Sequence, residues 1–195
     1  MRRRRRSVPS ESPALSPFEQ YVSLMNGSST IDSVSVCRAD YTNPVHAAAV
    51  VKMLDAYAQD PMGGGEGLSE HAKANLVASL AARPQAYTVL AFGGADDQQP
   101  IGLVNCIEGF STFACRPLVN VHDVAVLPGH RGQRVAEKML ALAQEIAIER
   151  GACKLTLEVL EGNAGAVKLY KRIGFANYQL GQAMGNAQFL QKWLD

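Results

Sequence analysis

A short glycine-bearing turn between an apolar segment and a long helix is the part of this 195-residue chain best suited to chemistry. Residues 119–126 are predicted to form a strand, Pro128 and Gly129 a turn, and residues 130–136 the opening of the helix. A strand that enters a helix through such a turn directs several backbone N–H groups, and the positive end of the helix, at one point. The pattern therefore predicts a binding site for a phosphate group.

A second strand and helix follow directly along the chain. Residues 154–160 are apolar and strand-like, and a helix is predicted to begin at Asn163, carry Tyr170 and end at Gly174 and Phe175. Asparagine is a preferred capping residue at the first position of a helix. The spacing therefore places one polar cap and one tyrosine on this second helix.

The other elements are predicted from apolar periodicity, helix caps and chain breakers. Strands are expected at 34–38, 86–92, 101–110, 176–180 and 189–194, and helices at 45–58, 69–82 and about 132–150. The last of these helices has Val135, Met139, Leu142 and Ile146 on one apolar face, with Glu137 pointing away from it. Mixed strands and helices with one central strand–turn–helix unit predict a single α/β sandwich.

Charge and length limit the class of protein. The formal net charge is +1, but five of the nineteen basic residues are Arg2 to Arg6, so the remainder is acidic. An acidic body argues against a nucleic-acid partner. No apolar run reaches the roughly 20 residues that span a membrane, so no membrane partner is expected. Residues 1–30 are predicted to be a disordered tail, and 31–195 one domain.

The four cysteines show neither metal-ligand spacing nor a nearby pair of histidines. Three of them, Cys37, Cys106 and Cys153, lie in apolar strand-like segments. Small buried thiols of this kind are typical of a protein in the reducing cytoplasm. The expected location is therefore cytoplasmic, and no metal is expected.

Two motifs resemble those of the GNAT superfamily of N-acetyltransferases. Arg131-Gly132-Gln133-Arg134-Val135-Ala136 is similar to the pyrophosphate loop Q/R-x-x-G-x-G/A, and Asn163-(six residues)-Tyr170-(three residues)-Gly174-Phe175 to the second motif. The resemblance covers about residues 119–180. It implies an α/β (α+β) fold with a central mixed, mostly antiparallel sheet, about four flanking helices and a splayed central parallel strand pair. It also implies an acetyl-CoA-dependent enzyme that acetylates an amine of a small molecule or peptide by direct attack.

The resemblance assigns a set of cofactor-binding residues. The backbone of residues 124–126 would pair with the pantetheine arm, residues 132–137 would hold the diphosphate, and Asn163 would contact the arm. The full set is Val124, Ala125, Val126, Arg131, Gly132, Gln133, Arg134, Val135, Ala136, Glu137, Asn163 and Tyr170. Arg134 stands where the family has its middle glycine, and its side chain would either obstruct the diphosphate or pair with a phosphate oxygen. We expect the loop to bind CoA.

Acetyl transfer to an amine requires loss of an ammonium proton, a donor for the oxyanion, and an acid or N–H group for the departing thiolate. The resemblance makes Tyr170 the acid, because the matching tyrosine in the family lies near the CoA sulfur. Its alternative role is that of a core aromatic, since Ala166, Leu169 and Ile173 share its side of the helix. The oxyanion donor would be a backbone N–H near Val124.

The general base is expected to be Glu158. Bacterial alanine N-acetyltransferases that modify ribosomal proteins, which this half resembles in spacing, have a glutamate base at the matching position. A carboxylate inside a covered sheet is costly unless it is used or paired, so Glu158 could instead be the structural partner of Asn163 or His122. His122 and Asp123 are further candidates for the base. They alternate onto opposite strand faces, so only one can face the cleft.

The acceptor is expected to be a small-molecule or peptide amine, and the resemblance implies that the glycine-rich segments at 60–67 and 181–185 hold it. Asp60 and Glu66 are the expected partners of its ammonium group. A homodimer is left open. Two other functions on the same fold also remain: a catalytically silent sensor of acyl-CoA, and a protein-interaction module.

Overall fold

The computed structural model of the chain describes residues 34–94, 99–179, 181, 183 and 185–194. The predicted tail at 1–30 lies outside the described residues, as does Leu180 at the end of one predicted strand. Within the described part of the chain, no helix is both long and apolar enough to cross a membrane.

In the described part of the chain, five strands form one sheet in the order of the sequence, β1-β2-β3-β4-β5. They are β1 (Ser35–Arg38), β2 (Ala86–Gly93), β3 (Gln99–Ser111), β4 (Arg116–Val126) and β5 (Leu155–Leu157). The pairs from β1 to β4 are antiparallel, and β4 and β5 are parallel. The prediction of a mixed, mostly antiparallel sheet is therefore confirmed.

Four α-helices within the described residues cover the two faces of this sheet: α1 (Pro44–Gln59), α2 (Glu70–Ala81), α3 (Val135–Glu149) and α4 (Ala164–Arg172). The first two pack with Leu90, Leu103 and Ala125 on one face. The other two pack on the opposite face, where the predicted apolar stripe of α3 enters the core. Every residue of β2 is buried, which is the pattern of a strand covered on both sides.

Helix α3 differs from its prediction in two ways. It begins at Val135 rather than near Gly132, because Gly132 (φ 77°) and Arg134 (φ 61°) have left-handed backbone conformations that a helix cannot contain. The prediction that Glu137 points away from the core is also wrong. Its side chain is only 6% exposed, and Arg172 of α4 donates from Nη2 to its Oε2 at 2.7 Å.

The predicted strands near the C-terminus are shorter or absent. Strand β5 ends at Leu157 rather than at residue 160, and it pairs with β4 only opposite Val119 to Val121. The described residues of the predicted strands at 176–180 and 189–194 form no strand. Alternating side chains favour a strand only where a neighbouring strand completes the hydrogen-bond ladder. Among the described residues of these two segments, one backbone hydrogen bond joins them, from Ala187 N–H to Tyr178 C=O at 3.0 Å.

An irregularity in β4 changes which of its side chains share a face. Asn105 of β3 pairs with Asp123, but the next β3 residue, Cys106, pairs with Val121. His122 is thus an extra residue, as in a β-bulge, which bends the strand and re-aims the side chains beyond it. Asp123 consequently lies on the α1 face of the sheet together with Ala125.

Candidate active site

A cleft of about 2530 Å³ opens where β4 runs on past the last residue that pairs with β5. Its walls come from α1 and the following loop, β4, the start of α3, β5, α4 and the segment beyond α4. The cleft brings together predicted site residues that lie far apart in the sequence. These are Val124, Ala125, Val126, Arg131, Gly132, Arg134, Val135, Ala136, Glu137, Glu158, Asn163 and Tyr170. Gln133 is not part of the lining, and its side chain donates to Gly129 C=O at 3.1 Å.

The backbone of β4 offers hydrogen-bonding groups to this cleft at alternate positions. Leu127 N–H donates to Ile101 C=O of β3 at 2.9 Å, whereas Val126 C=O faces away from β3 and accepts from Arg131 Nε at 3.0 Å. Successive residues of a strand direct their backbone groups to opposite neighbours. Val124 and Val126 therefore face the cleft side, and Ala125 faces β3.

The turn before α3 has the geometry of an anion site. Asn43, Ser69 and Asn163 cap α1, α2 and α4 with their side chains, but among the described residues no side chain caps α3. The N–H groups of the first helical turn have no partner within a helix, and those of α3 lie at the cleft. Together with the positive end of the helix, they suit a diphosphate. The residues present thus fit the cofactor that the sequence implied.

Arg134, at the position of a glycine in the family pattern, has a backbone conformation that favours glycine. Its φ of 61° and ψ of 17° place it in the left-handed region, and its side chain is exposed. For a residue with a Cβ atom this conformation costs about 1 kcal/mol. The loop therefore keeps its turn despite the substitution, at a cost to the stability of the fold.

The side chain of Arg131 is used inside the protein. Its Nη2 donates to Asp60 Oδ2 at 2.6 Å, and its Nε donates to the backbone of Val126. The bond from Arg131 lowers the pKa of the Asp60 carboxyl below its usual value. Asp60 was predicted to be a partner for an ammonium group, but in the structure it is already paired with a cation.

Tyr170 is both a core residue and a cleft residue, so its two predicted placements coexist. It is 8% exposed, and the ring of Phe175 packs edge-on against it at 5.9 Å. Phe175 N–H donates to Tyr170 C=O at 2.9 Å across Gly174 (φ 101°), a helix ending that requires a left-handed residue at that position. Burial, reinforced by nearby Tyr57, raises the pKa of Tyr170 to about 12. The phenol is therefore protonated at neutral pH.

Glu158 is not the covered carboxylate that the sequence suggested. It follows the end of β5 and is exposed, although it lines the cleft. Its structural partner is Asn120 of β4, whose Nδ2 lies 3.1 Å from both carboxylate oxygens. Neither of the predicted partners, Asn163 and His122, has a hydrogen bond to it in the described part of the chain. Asn163 instead caps α4 by accepting from Ala166 N–H at 3.2 Å.

His122 and Asp123 both line the cleft, contrary to the expectation that only one could. Strict alternation of side chains fails at these positions because His122 is the extra residue of the β4 bulge. The partner of Asp123 was not foreseen. Asn105 of β3 donates from Nδ2 to Asp123 Oδ2 at 2.9 Å. The sequence feature that could have indicated this bond was Asn105 itself, a single polar residue inside an apolar strand.

Solved structures share this fold. The chain aligns over 83% of its length with a complete ribosomal-protein-alanine N-acetyltransferase from Brucella melitensis biovar Abortus 2308, at 19% identity and a TM-score of 0.61. It aligns over the same share with 95% of an aminoglycoside N-acetyltransferase solved in complex with CoA, at 16% identity and a TM-score of 0.64. At these identities the likeness concerns the fold.

Similarity in sequence is higher but covers less of each protein. Streptothricin acetyltransferase of Streptomyces lavendulae is 41% identical over 87 residues, which are 43% of this chain and 46% of that protein. Thialysine N-epsilon-acetyltransferase of Mus musculus is 37% identical over 65 residues, 33% of this chain and 38% of that protein. The chain thus spans less than half the length of these curated relatives. The model of the acetyltransferase (GNAT) family matches residues 51–175, so the chain belongs to that family.

Proposed function

We propose that the protein is an N-acetyltransferase that moves an acetyl group from acetyl-CoA to an amine of a small molecule or peptide by direct attack. The observation that carries the proposal is the meeting of three features in one cleft. These are the start of α3 without a side-chain cap, the outward-facing backbone of β4 beyond the bulge, and the buried phenol of Tyr170.

The cofactor side of the cleft suits acetyl-CoA, which supplies an activated thioester. The amides from Gly132 to Glu137 would bind its diphosphate. Val124 and Val126 would pair with the pantetheine arm through their backbone groups, and Asn163 would border it. Arg131 would contribute its main chain, since its guanidinium already binds Asp60 and Val126.

Three groups would carry the transfer. The Val124 N–H would stabilise the oxyanion as it forms. Tyr170 would donate a proton to the departing thiolate, a role for which its raised pKa keeps it in the protonated form. Glu158, exposed at the end of β5, would accept the proton of the attacking amine, either directly or through one water molecule.

The relatives support an amine acceptor but do not agree on which one. Their printed names give streptothricin and thialysine, and a neighbour in the fold comparison is named for aminoglycosides. All three acceptors carry amino groups and are cationic near neutral pH. We therefore propose a cationic amine of this general kind.

Binding and turnover test the proposal separately. Calorimetry should show acetyl-CoA binding, and a thiol assay should show CoA release with at least one of streptothricin, thialysine, sisomicin or a short peptide with a free N-terminus. Glu145→Gln, on the exposed side of α3, is a matched control that should behave as wild type. No binding would overturn the proposal. Binding without release on any amine would instead favour the sensor of acyl-CoA.

A further inference from the structure

A row of three polar side chains crosses the α1 face of the sheet. Thr88 of β2, Asn105 of β3 and Asp123 of β4 are cross-strand neighbours in register. The first two are 0% and 5% exposed. The next row on the same face, Leu90, Leu103 and Ala125, is apolar throughout. Buried polar groups persist in a core only when they are hydrogen-bonded.

The hydrogen bonds of this row all run towards Asp123. Asn105 donates from Nδ2 to Asp123 Oδ2 at 2.9 Å, so its Oδ1 is left to accept from the Thr88 hydroxyl at 2.5 Å. A hydroxyl has one proton to donate. Thr88 must therefore accept from the Tyr41 hydroxyl, which lies 2.9 Å away. Each group in the row fixes the next, and the last one is a carboxylate in the cleft.

The β4 bulge is what brings Asp123 to the end of the row. Continuing the register from Cys106 and Val121 would set His122 opposite Asn105. Because His122 is the extra residue, Asp123 takes that place instead. A bulge next to a cleft commonly serves to re-aim a side chain.

The carboxylates at this side of the cleft are not equivalent. Asp60 is neutralised by Arg131. Asp123 accepts from a neutral amide, and no ion pair to it is formed within the described part of the chain. Tyr57 of α1 also borders the cleft close to both carboxylates. A carboxylate oriented by a buried row but lacking a cation is suited to bind a cationic ligand.

We propose that Asp123 binds an ammonium group of the acceptor, and that Asn105 and Thr88 are positioning residues that hold its carboxylate in place. The inference rests on the proposed acetyltransferase function and gives the acceptor side of the cleft its recognition residue. Neither Asn105 nor Thr88 lines the cleft, so an effect of changing them on ligand affinity is indirect, and the hydrogen bonds of the row lead to Asp123.

The ligand test uses a dication and its uncharged isostere. Wild-type protein, free and saturated with CoA, is titrated with 1,4-diaminobutane and with 1,4-butanediol by NMR or calorimetry. Wild type should prefer the diamine, and Asp123→Asn should weaken diamine binding about tenfold while leaving the diol unchanged. Glu145→Gln should match wild type. A wild type without preference, or an Asp123→Asn variant with unchanged diamine affinity, overturns the proposal.

The positioning role is tested by a matched pair at Thr88. Thr88→Val keeps the shape but removes the hydroxyl, so it should weaken diamine binding about threefold, whereas Thr88→Ser should retain wild-type affinity. Tyr41→Phe, at the far end of the row, gives a second and milder readout if the valine variant folds poorly. Equal diamine affinity in Thr88→Val and Thr88→Ser would overturn the positioning role.

Acetyl-CoA binding, measured on the same variants, separates the two proposals. Asp123→Asn should bind acetyl-CoA as wild type does, and a parallel loss of both ligands would overturn a specific acceptor role. Wild type that fails to bind acetyl-CoA would overturn the proposed function whatever the diamine titrations show. Normal acetyl-CoA binding with unchanged diamine affinity in Asp123→Asn overturns this inference alone.

Discussion

The two sides of the cleft are assembled from contacts of very different range. On the proposed cofactor side, the turn at 128–134 leads directly into α3, and Tyr170 is fixed by Gly174 and Phe175 a few residues further on. On the proposed acceptor side, Asp123 depends on Asn105 and, through it, on Thr88, 18 and then 17 residues apart in sequence. Asp60 depends on Arg131, 71 residues away.

This difference explains why one side carries sequence motifs and the other does not. Left-handed residues, helix starts and helix endings are local features with characteristic residue types. A cross-strand row depends on register, and a one-residue slip would exchange all of its members. We therefore expect changes on the cofactor side to act locally, and changes on the acceptor side to act at a distance.

The largest expected effect is that of Tyr170→Phe, which tests the cofactor side at its reacting end. Loss of a general acid should lower kcat about 100-fold with little change in KM. The fold should tolerate the change, since the Tyr170 hydroxyl has no hydrogen bond among the described residues. Steady-state kinetics with acetyl-CoA provide the measurement. A kcat within twofold of wild type would leave Tyr170 as a core aromatic alone.

The same variant has a signature at high pH. Because burial raises the pKa of Tyr170 to about 12 in the folded protein, against about 10 in the unfolded chain, the unfolded state ionises first. The contribution of the Tyr170 phenol to the free energy of unfolding is therefore fully present below pH 10, and it is lost as the pH rises from 10 to 12. The free energy of unfolding should therefore fall less steeply in Tyr170→Phe over that interval. Identical slopes would contradict the burial of the phenol.

Arg172→Ala tests a long-range contact on the proposed cofactor side, the ion pair with Glu137. Removing the guanidinium leaves the Glu137 carboxylate, 6% exposed, without that partner. The fold should lose about 2 kcal/mol, less than for a fully buried pair because Arg172 is half exposed. Lys168→Ala on the same helix is the matched control, and an equal loss in both variants would show that the ion pair contributes nothing.

Asp60→Asn tests the link between the two sides. Arg131 would lose its ion pair with the loop after α1, and the loop would be held less tightly against the turn before α3. The affinity for acetyl-CoA and the KM of the acceptor should therefore both change by about threefold. The pKa of Asp60 is lowered in the fold, so its contribution to stability is present above pH 4 and lost as the pH falls further. The Tm measured between pH 2 and 6 should therefore depend less on pH in Asp60→Asn than in wild type. A change confined to one ligand would mean that the sides are independent.

Arg134→Gly should have the smallest effect. Glycine adopts the left-handed conformation without the steric cost, which should stabilise the fold by up to about 1 kcal/mol. Acetyl-CoA affinity should stay within several-fold of wild type, as measured by calorimetry. A large gain in affinity would mean that the arginine side chain obstructs the native loop.

The fold was largely predictable because local sequence patterns indicate most of its helices and strands. Asn43, Ser69 and Asn163 cap their helices through side-chain bonds to residues two or three positions on. The predictions failed where the outcome depended on a distant partner. Glu137 is buried because Arg172 reaches it, and the segments at 176–179 and 189–194 form no strand because no ladder is completed there.

The sequence by itself predicted most of the proposed cofactor side: an apolar strand, a glycine-bearing turn into a long helix, and a second helix that ends at Gly174 and carries Tyr170. Each of these features depends on the backbone preferences of a few consecutive residues, so it can be read from the local sequence. Only the tertiary structure decided that Arg131 neutralises Asp60, that Asn120 holds Glu158, and that Asp123 completes the row from Thr88. These pairings depend on the bulge at His122 and on strand register, which set charge partners that no local pattern encodes.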